Sequence, residues 1–507
     1  MKKFLSIIMV LAMIFAMSTT AFAAEQETFA LTIAGTNGHT YNVYQIYTGN
    51  VAEEGGTLVL SNVKYGMNHT PVDGAVGDSV PDMELKDFLK SADPANYFRT
   101  QISGTPYAVV NENGTENSVT VNVVAGYYLI MDVTADLPDG QTKSPIILKV
   151  AEATTIASKH ATITSTKKVD DKNDSTTEED TVNWVDSADY DIGDDVPFQM
   201  TVTLPATLNA YTAYELTFHD KQDAGFDAPQ NFKVYVQRAN AVLFEVAATD
   251  YSVSNSCVKA ETCEYRGCSF CVTVNDVKAI YEAKAVDFKD GDILIVEYTS
   301  KLNANANSGR AGNENSMYVC HPDGHTPVDA VTVLTYELKV NKIDGTSKAA
   351  LQGAGFTLKK WIENESAWVN VGDEVVGGDI TSFVWSGIDG GKYKLVETTT
   401  PAGYNTLADL EFVINATHKD IWLADGNYAL EDVIAKDPSG TTVVFADKNA
   451  EGLLDGKLEG NVENFKGVVL PETGAEGTFM LIFGGSLLVV LAAVFMITRK
   501  KMSVYED

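Results

Sequence analysis

Two lysines stand where the core-facing side chains of a β-strand belong. In Tyr336-Glu-Leu-Lys-Val-Asn-Lys342, period-two alternation puts Tyr336, Leu338, Val340 and Lys342 on one face. In Ile163-Thr-Ser-Thr-Lys-Lys-Val169, the parity of Ile163 and Val169 includes Lys167 and excludes Lys168. A bare ammonium inside an apolar core costs on the order of several kcal/mol, so such a lysine is paired, deprotonated or chemically consumed. Tyr393-Lys-Leu-Val-Glu397 repeats the pattern with an acid, placing Glu397 on the face of Tyr393 and Leu395. Burial of a carboxyl favours its neutral form. A third group of reactive side chains lies between these strands: Cys257, Cys263, Cys268, Cys271 and Cys320 all fall in the middle third of the chain. Cys268, Cys271, Cys320, His321 and His325 have types that suit zinc, but their spacing matches no zinc module, and local disulfides or plain packing are the stronger expectation.

The chain ends carry a different chemistry. Leu470-Pro471-Glu472-Thr473-Gly474 precedes an apolar run over 479–498, then Arg499-Lys500-Lys501 and a tail over 499–507. About 20 apolar residues cross the hydrocarbon core of a bilayer, and basic residues behind them stay cytoplasmic, so the body of the chain is expected outside. At the other end, Met1-Lys2-Lys3, the apolar stretch from Phe4 to Met17 and Ala21-Phe22-Ala23 read as the three parts of a signal peptide over 1–23. The segment LPETG resembles the LPxTG substrate motif of sortases, the transpeptidases of Gram-positive bacteria that cut between Thr and Gly and pass the threonyl carbonyl to an amine. By that resemblance Leu470, Pro471, Glu472, Thr473 and Gly474 form the sorting motif, and Thr473 is the acyl donor.

The elements that must position these groups are strands. Runs such as Tyr41–Tyr47, Asp292–Tyr298 and Glu411–Asn415 alternate and are punctuated by Gly, Asn and Asp, while only 82–90 and 277–284 invite a helix. Roughly 450 residues between the two end signals suffice for three domains. The expected fold class is all-β: three tandem immunoglobulin-like β-sandwich domains over 24–158, 159–332 and 333–469, with a C-terminal transmembrane sorting helix. The net charge of −32, from 69 acidic against 37 basic residues with no basic stripe, makes nucleic acid an improbable partner. No Ser/His/Asp set, paired-carboxylate cleft or metal spacing marks an enzyme, and no cofactor is implied.

The stretch from Val340 through Leu351-Gln-Gly-Ala-Gly-Phe356 to Tyr393-Lys-Leu-Val-Glu-Thr-Thr-Thr-Pro-Ala-Gly-Tyr404 resembles a collagen-adhesin B-type, or prealbumin-like, pilin domain. Such domains form a spontaneous intramolecular isopeptide bond. The resemblance implies Lys342 as nucleophile, Glu397 as promoting acid and Asn464 as acceptor, with Asn461 the alternative to Asn464. An apolar site would supply a neutral amine, while the acid polarises the asparagine carbonyl and carries the proton as ammonia leaves. The middle region is similar to an isopeptide-forming fimbrial domain: Tyr214-Glu-Leu-Thr-Phe-His-Asp220 resembles its acid-bearing segment, and Tyr298–Asn303 with Gly312–Tyr318 resembles its final strands. That implies Lys167, Asp220 and Asn315, with Lys168 against Lys167 and Asn313 against Asn315 left open. The first region has no lysine in its opening strands, so no internal bond is expected there; Gly126–Ile130 resembles the first domain of shaft pilins.

Together these resemblances imply the major shaft subunit of a sortase-assembled, wall-anchored pilus that supports adhesion. Its expected partners are pilin-class and housekeeping sortases, other copies of itself, minor pilins, peptidoglycan and a host extracellular ligand. Shaft pilins carry the acceptor lysine at the end of the first domain, commonly in Tyr-Pro-Lys. Here Thr155-Ile-Ala-Ser-Lys159 supplies Lys159 as intermolecular acceptor without the Tyr-Pro. The alternative is a monomeric wall-anchored adhesin that binds a host ligand through its first domain.

Overall fold

A computed structural model describes residues 27–467 and 485–496, apart from 70–73, 83, 86–93, 100, 136, 144, 159–160, 177–181, 256, 258–266, 420–428 and 448–453. The signal peptide over 1–23, Cys263, Lys159, the LPETG motif over 470–474 and the tail over 499–507 therefore lie outside the described residues, as do both ends of the apolar run. Within that run, residues 485–496 are helical. No helix among the described residues is long and apolar enough to cross a membrane.

The period-two runs of the sequence are strands. Asp195–Thr203 buries Val196, Phe198, Met200 and Val202 on one face, and Tyr336–Asp344 buries every second side chain from end to end, Lys342 among them. The helix Val277–Lys284 forms as its periodicity predicts: Asp276 caps its start by accepting from the backbone N–H of Lys278 and Ala279, and Ala285 closes it in the left-handed region.

The strands collect into three sets. In the first, Thr28–Ala34 lies between Ser118–Val124 and Thr154–Ala157, and a five-stranded sheet carries Thr57–Tyr65, Tyr41–Glu54, Gly126–Asp132 and Ile146–Val150, with Ala108–Val110 beside it. Its buried side chains form two clusters, one around Leu31, Tyr41 and Tyr128, the other around Tyr47, Tyr65 and Phe98.

The second set is a true sandwich. Ser165–Asp170, Asp195–Thr203, Ile293–Lys301 and Gln230–Arg238 are neighbours in one sheet, and Asp329–Leu334, Asn313–His321, Leu216–Gln222 and Phe270–Val274 are neighbours in the other. The inner faces of both supply one core that includes Phe198, Phe218, Phe270, Tyr298 and Val319.

The third set is one continuous ten-stranded sheet rather than two separate ones, wrapped around Tyr336, Phe356, Phe383, Tyr393 and Phe445. Its first strand, Tyr336–Asp344, lies parallel to its last, Lys457–Asn464, with Glu337 opposite Lys457 and Asp344 opposite Asn464.

The sets meet through backbone and charge. Gly140 N–H donates to the His325 carbonyl at 2.7 Å, and Ile163 N–H to the Gly140 carbonyl at 2.6 Å, tying the first set to the second. Between second and third, Ile192 N–H donates to the Gly387 carbonyl at 2.9 Å. Gly387 has φ +79°, and a Cβ there would lie 2.4 Å from Ile192 Cδ1, so only glycine permits that approach. Beside it Lys360, 2% exposed, reaches Asp174 and Asp191 at 2.7 Å and Asp389 at 2.6 Å.

Candidate functional site

In the third set, the inward parity of Tyr336–Asp344 delivers Lys342 to the core with no exposure. The parallel register places Val462 opposite it, so Asn464 of the last strand comes within reach of its tip. Lys342 Nζ donates to Asn464 Oδ1 at 2.5 Å and to the Val462 carbonyl at 3.3 Å. Glu397, on the strand Gly391–Thr399 and 6% exposed, accepts from Asn464 Nδ2 through Oε1 at 2.7 Å and Oε2 at 3.0 Å. Its Oε1 is 3.8 Å from Lys342 Nζ, and its Oε2 is fixed by the Leu407 N–H at 2.7 Å. The acid thus sits on the amide nitrogen, while the amine sits on the carbonyl oxygen. Burial lowers the Lys342 pKa from its ordinary value against the opposing pull of Glu397, which moves the amine toward the form that carries a lone pair. Asn461, the alternative acceptor, points to solvent.

The middle set brings a second amine, acid and amide together across its sandwich. Lys167 comes from one sheet; Asp220 and Asn315 come from the other, where Asp220 faces Met317 and Asn315 faces Gln222. All three are fully buried. Lys167 Nζ donates to Asp220 Oδ2 and lies 5.2 Å and 5.1 Å from the ring centres of Phe198 and Tyr298. Burial lowers the Lys167 pKa and raises that of Asp220, each against the attraction of the other, so the site favours a neutral amine beside a neutral acid. Lys168 is half-buried and pairs with Asp186. Asn313 is buried too, but its amide is bonded to the Asn307 backbone and the Val333 carbonyl.

Tyr298 is the member of this site that the sequence reading left out. Its hydroxyl donates to Asp220 Oδ2 at 2.8 Å, accepts from Lys167 Nζ at 2.9 Å and accepts from Asn315 Nδ2 at 2.8 Å. The signal was available: Leu294, Val296 and Tyr298 share the inward parity of their strand, and a buried phenol needs polar partners for its hydroxyl.

The cysteines follow the disulfide expectation where they are described. Cys257 is bonded to Cys268, and Cys320 is disulfide-bonded as well, so neither Cys268 nor Cys320 is free to ligate a metal as thiolate. Cys271 is a buried free thiol. Lys159 and Thr473 lie outside the described residues, beyond the ends of the strands Thr154–Ala157 and Lys457–Asn464.

Two segments of the chain match known families. Residues 336–428 match the SpaA prealbumin-like fold domain, and residues 464–503 match the LPXTG cell wall anchor motif. No curated protein matches the chain. Among solved structures, the T6 backbone pilin of serotype M6 Streptococcus pyogenes, described as a modular three-domain structure, is similar with a TM-score of 0.51 at 16% identity, covering 88% of this chain and all (100%) of that one. The full-length major pilin SpaD from Corynebacterium diphtheriae has a TM-score of 0.45 at 17% identity, covering 89% and 100%. The first of these likenesses carries the fold assignment. The chain is a cell wall-anchored Gram-positive surface protein with an LPXTG anchor and a SpaA-type prealbumin-like domain, built on the fold of a backbone pilin.

Proposed function

We propose that this protein is the structural shaft subunit of a sortase-assembled pilus. Each copy would be joined through its Thr473 carbonyl to the Lys159 amine of the next and stiffened by internal bonds between Lys342 and Asn464 and between Lys167 and Asn315. We read the chain as three domains, over 24–158, 159–332 and 333–469. The observation that carries this reading is the buried contact of Lys342, Asn464 and Glu397 six residues before a sorting motif, because it joins a domain's first strand to its last at the point where the shaft continues.

The chemistry of the third domain follows from its contacts. The Lys342 amine adds to the Asn464 carbonyl carbon, a C–N bond forms, the Cγ–Nδ2 bond breaks and ammonia leaves. The proton shed by Nζ passes to Glu397 and from there to Nδ2, which both carboxyl oxygens already touch. Neither residue is regenerated for a second substrate, so the protein is a single-turnover reagent on itself. The bond closes a loop of 122 residues, and by analogy with a disulfide that constraint contributes about 4–5 kcal/mol.

The polymer reading is tested by an immunoblot of boiled cell-wall extract in denaturant, comparing wild type with Lys159→Ala. The expected result is a high-mass ladder that collapses in the variant. A ladder that persists would move the acceptor to another lysine, and a single wall-linked band in wild type would replace the shaft by a monomeric adhesin.

A further inference from the structure

The two internal sites differ in how acid and amine meet the amide: Lys342 donates to the Asn464 carbonyl oxygen, while the Asn315 carbonyl oxygen accepts no hydrogen bond. In the third domain the acid touches the amide nitrogen that must leave, at 2.7 Å and 3.0 Å. In the middle domain the contact of Asn315 Nδ2 is with the Tyr298 hydroxyl at 2.8 Å, and that hydroxyl in turn contacts Asp220 at 2.8 Å. Asp220 Oδ1 and Asn315 Oδ1 are buried without a hydrogen-bond partner, so the acid meets both Lys167 and the phenol through Oδ2. Resting on the internal-bond reading above, we propose that Tyr298 is a catalytic residue of the middle domain, relaying the proton from Asp220 to the departing nitrogen of Asn315.

The contacts define the step. Lys167 Nζ attacks Asn315 Cγ, and until then Nδ2 is a planar amide that donates to the phenol oxygen. Addition makes Nδ2 a pyramidal amine with a lone pair, and the same contact reverses direction. The proton released by Nζ goes to Asp220, a proton passes from Asp220 to the phenol oxygen, and the phenol proton passes to Nδ2. The Cγ–Nδ2 bond breaks, ammonia leaves, and Asp220 and Tyr298 end as they began. The phenol remains neutral except in transit, as its surroundings require, because Phe198, Phe232 and Phe270 pack around its ring with centroids 5.1–5.6 Å away. Asp220 and Asn315 sit on one sheet and Tyr298 on the other. The relay is therefore complete only when the two sheets have packed, which ties bond formation to a finished core.

The experiment is mass spectrometry of the full ectodomain, intact and after trypsin, for wild type and Tyr298→Phe. Wild type should be lighter than its sequence mass by two ammonias. Tyr298→Phe should keep the Lys342–Asn464 cross-link and form the Lys167–Asn315 cross-link slower by on the order of 100-fold, the loss expected for a missing proton-transfer group. A Tyr298→Phe protein that makes both bonds at the wild-type rate would overturn the relay alone. A wild type without the Lys167–Asn315 cross-link would overturn the internal-bond reading of this domain and the relay with it. Asn315→Ala and Asn315→Ala/Tyr298→Phe, neither able to form the bond, separate chemistry from packing. Equal melting temperatures support the relay, and a large further loss in the double variant would assign the hydroxyl a structural role instead.

Discussion

Each of the two sites uses a fold to bury an ordinary amine beside an acid and an amide. Lys342 and Lys167 are buried without exposure, and burial shifts both toward the neutral form. Glu397→Ala should make the ectodomain heavier by one ammonia, leave the Lys167–Asn315 bond intact, and cost about 4 kcal/mol of third-domain stability. Mass spectrometry and denaturant titration check both halves, and an unshifted mass would exclude Glu397 as the promoting acid. Bond formation in the middle domain should slow as pH falls, because protonating Lys167 removes its lone pair. The rate of appearance of the cross-linked tryptic peptide in freshly refolded protein, compared at pH 8 and pH 5, measures it; a rate that rises toward acid would contradict a neutral-amine mechanism. At this scale the sequence was informative wherever a single strand decides the outcome. Parity alone turns Lys342, Glu397 and Lys167 inward. It does not reveal that Tyr298 completes the middle site, because that depends on the distance between two sheets.

Between elements, a charged junction lies where the second and third sets meet. Burial alone would lower the Lys360 pKa, but Asp389, Asp191 and Asp174 outweigh it and hold the ammonium charged. Asp389 is itself raised well above the carboxylate range, by burial first and by Asp191 next. Removing the cation leaves the buried Asp389 facing the partly exposed Asp191 and Asp174 without a counter-charge, so Lys360→Met should destabilise the junction by about 3 kcal/mol. Added proteolytic cleavage near Asp191–Asp194, with both internal bonds intact by mass, is the expected readout; unchanged cleavage would show the cluster to be dispensable. The strands Leu216–Gln222 and Asn313–His321 of the second set carry a second electrostatic signature. Burial holds His219 at a pKa of about 4 and His321 likewise at about 4, the latter helped by His325. The unfolded chain takes up protons below the ordinary value of 6.5, while these folded imidazoles do not. Their contribution is therefore full above that value and is lost as pH falls toward 4. Denaturation midpoints of the middle domain should drop across that window, and His219→Gln should flatten the drop; a pH-independent midpoint would contradict it. None of this was legible in the sequence, since Lys360, Asp389 and Asp191 are distant in the chain and read singly as surface charges.

For the whole molecule, strand patterns and end signals gave the class, while the arrangement of the third set as one wrapped sheet came only from the strand pairing. Under tension the internal bond of that domain should hold its 122-residue loop out of reach. Force spectroscopy of Glu397→Ala should release a contour length of about 400 Å that wild type does not. The same release in wild type would mean that no bond had formed. The parallel pairing of Tyr336–Asp344 with Lys457–Asn464 also dictates an order of events during synthesis. The opening strand emerges first but has no neighbour on that side until more than a hundred residues later, so its side of the sheet remains incomplete while the chain is still being threaded outward. Closure awaits Asn464, which leaves the export channel just ahead of the anchor sequence. The last domain is thus finished only when the whole body of the protein is outside, and the internal bond proposed there would mark each subunit as fully delivered.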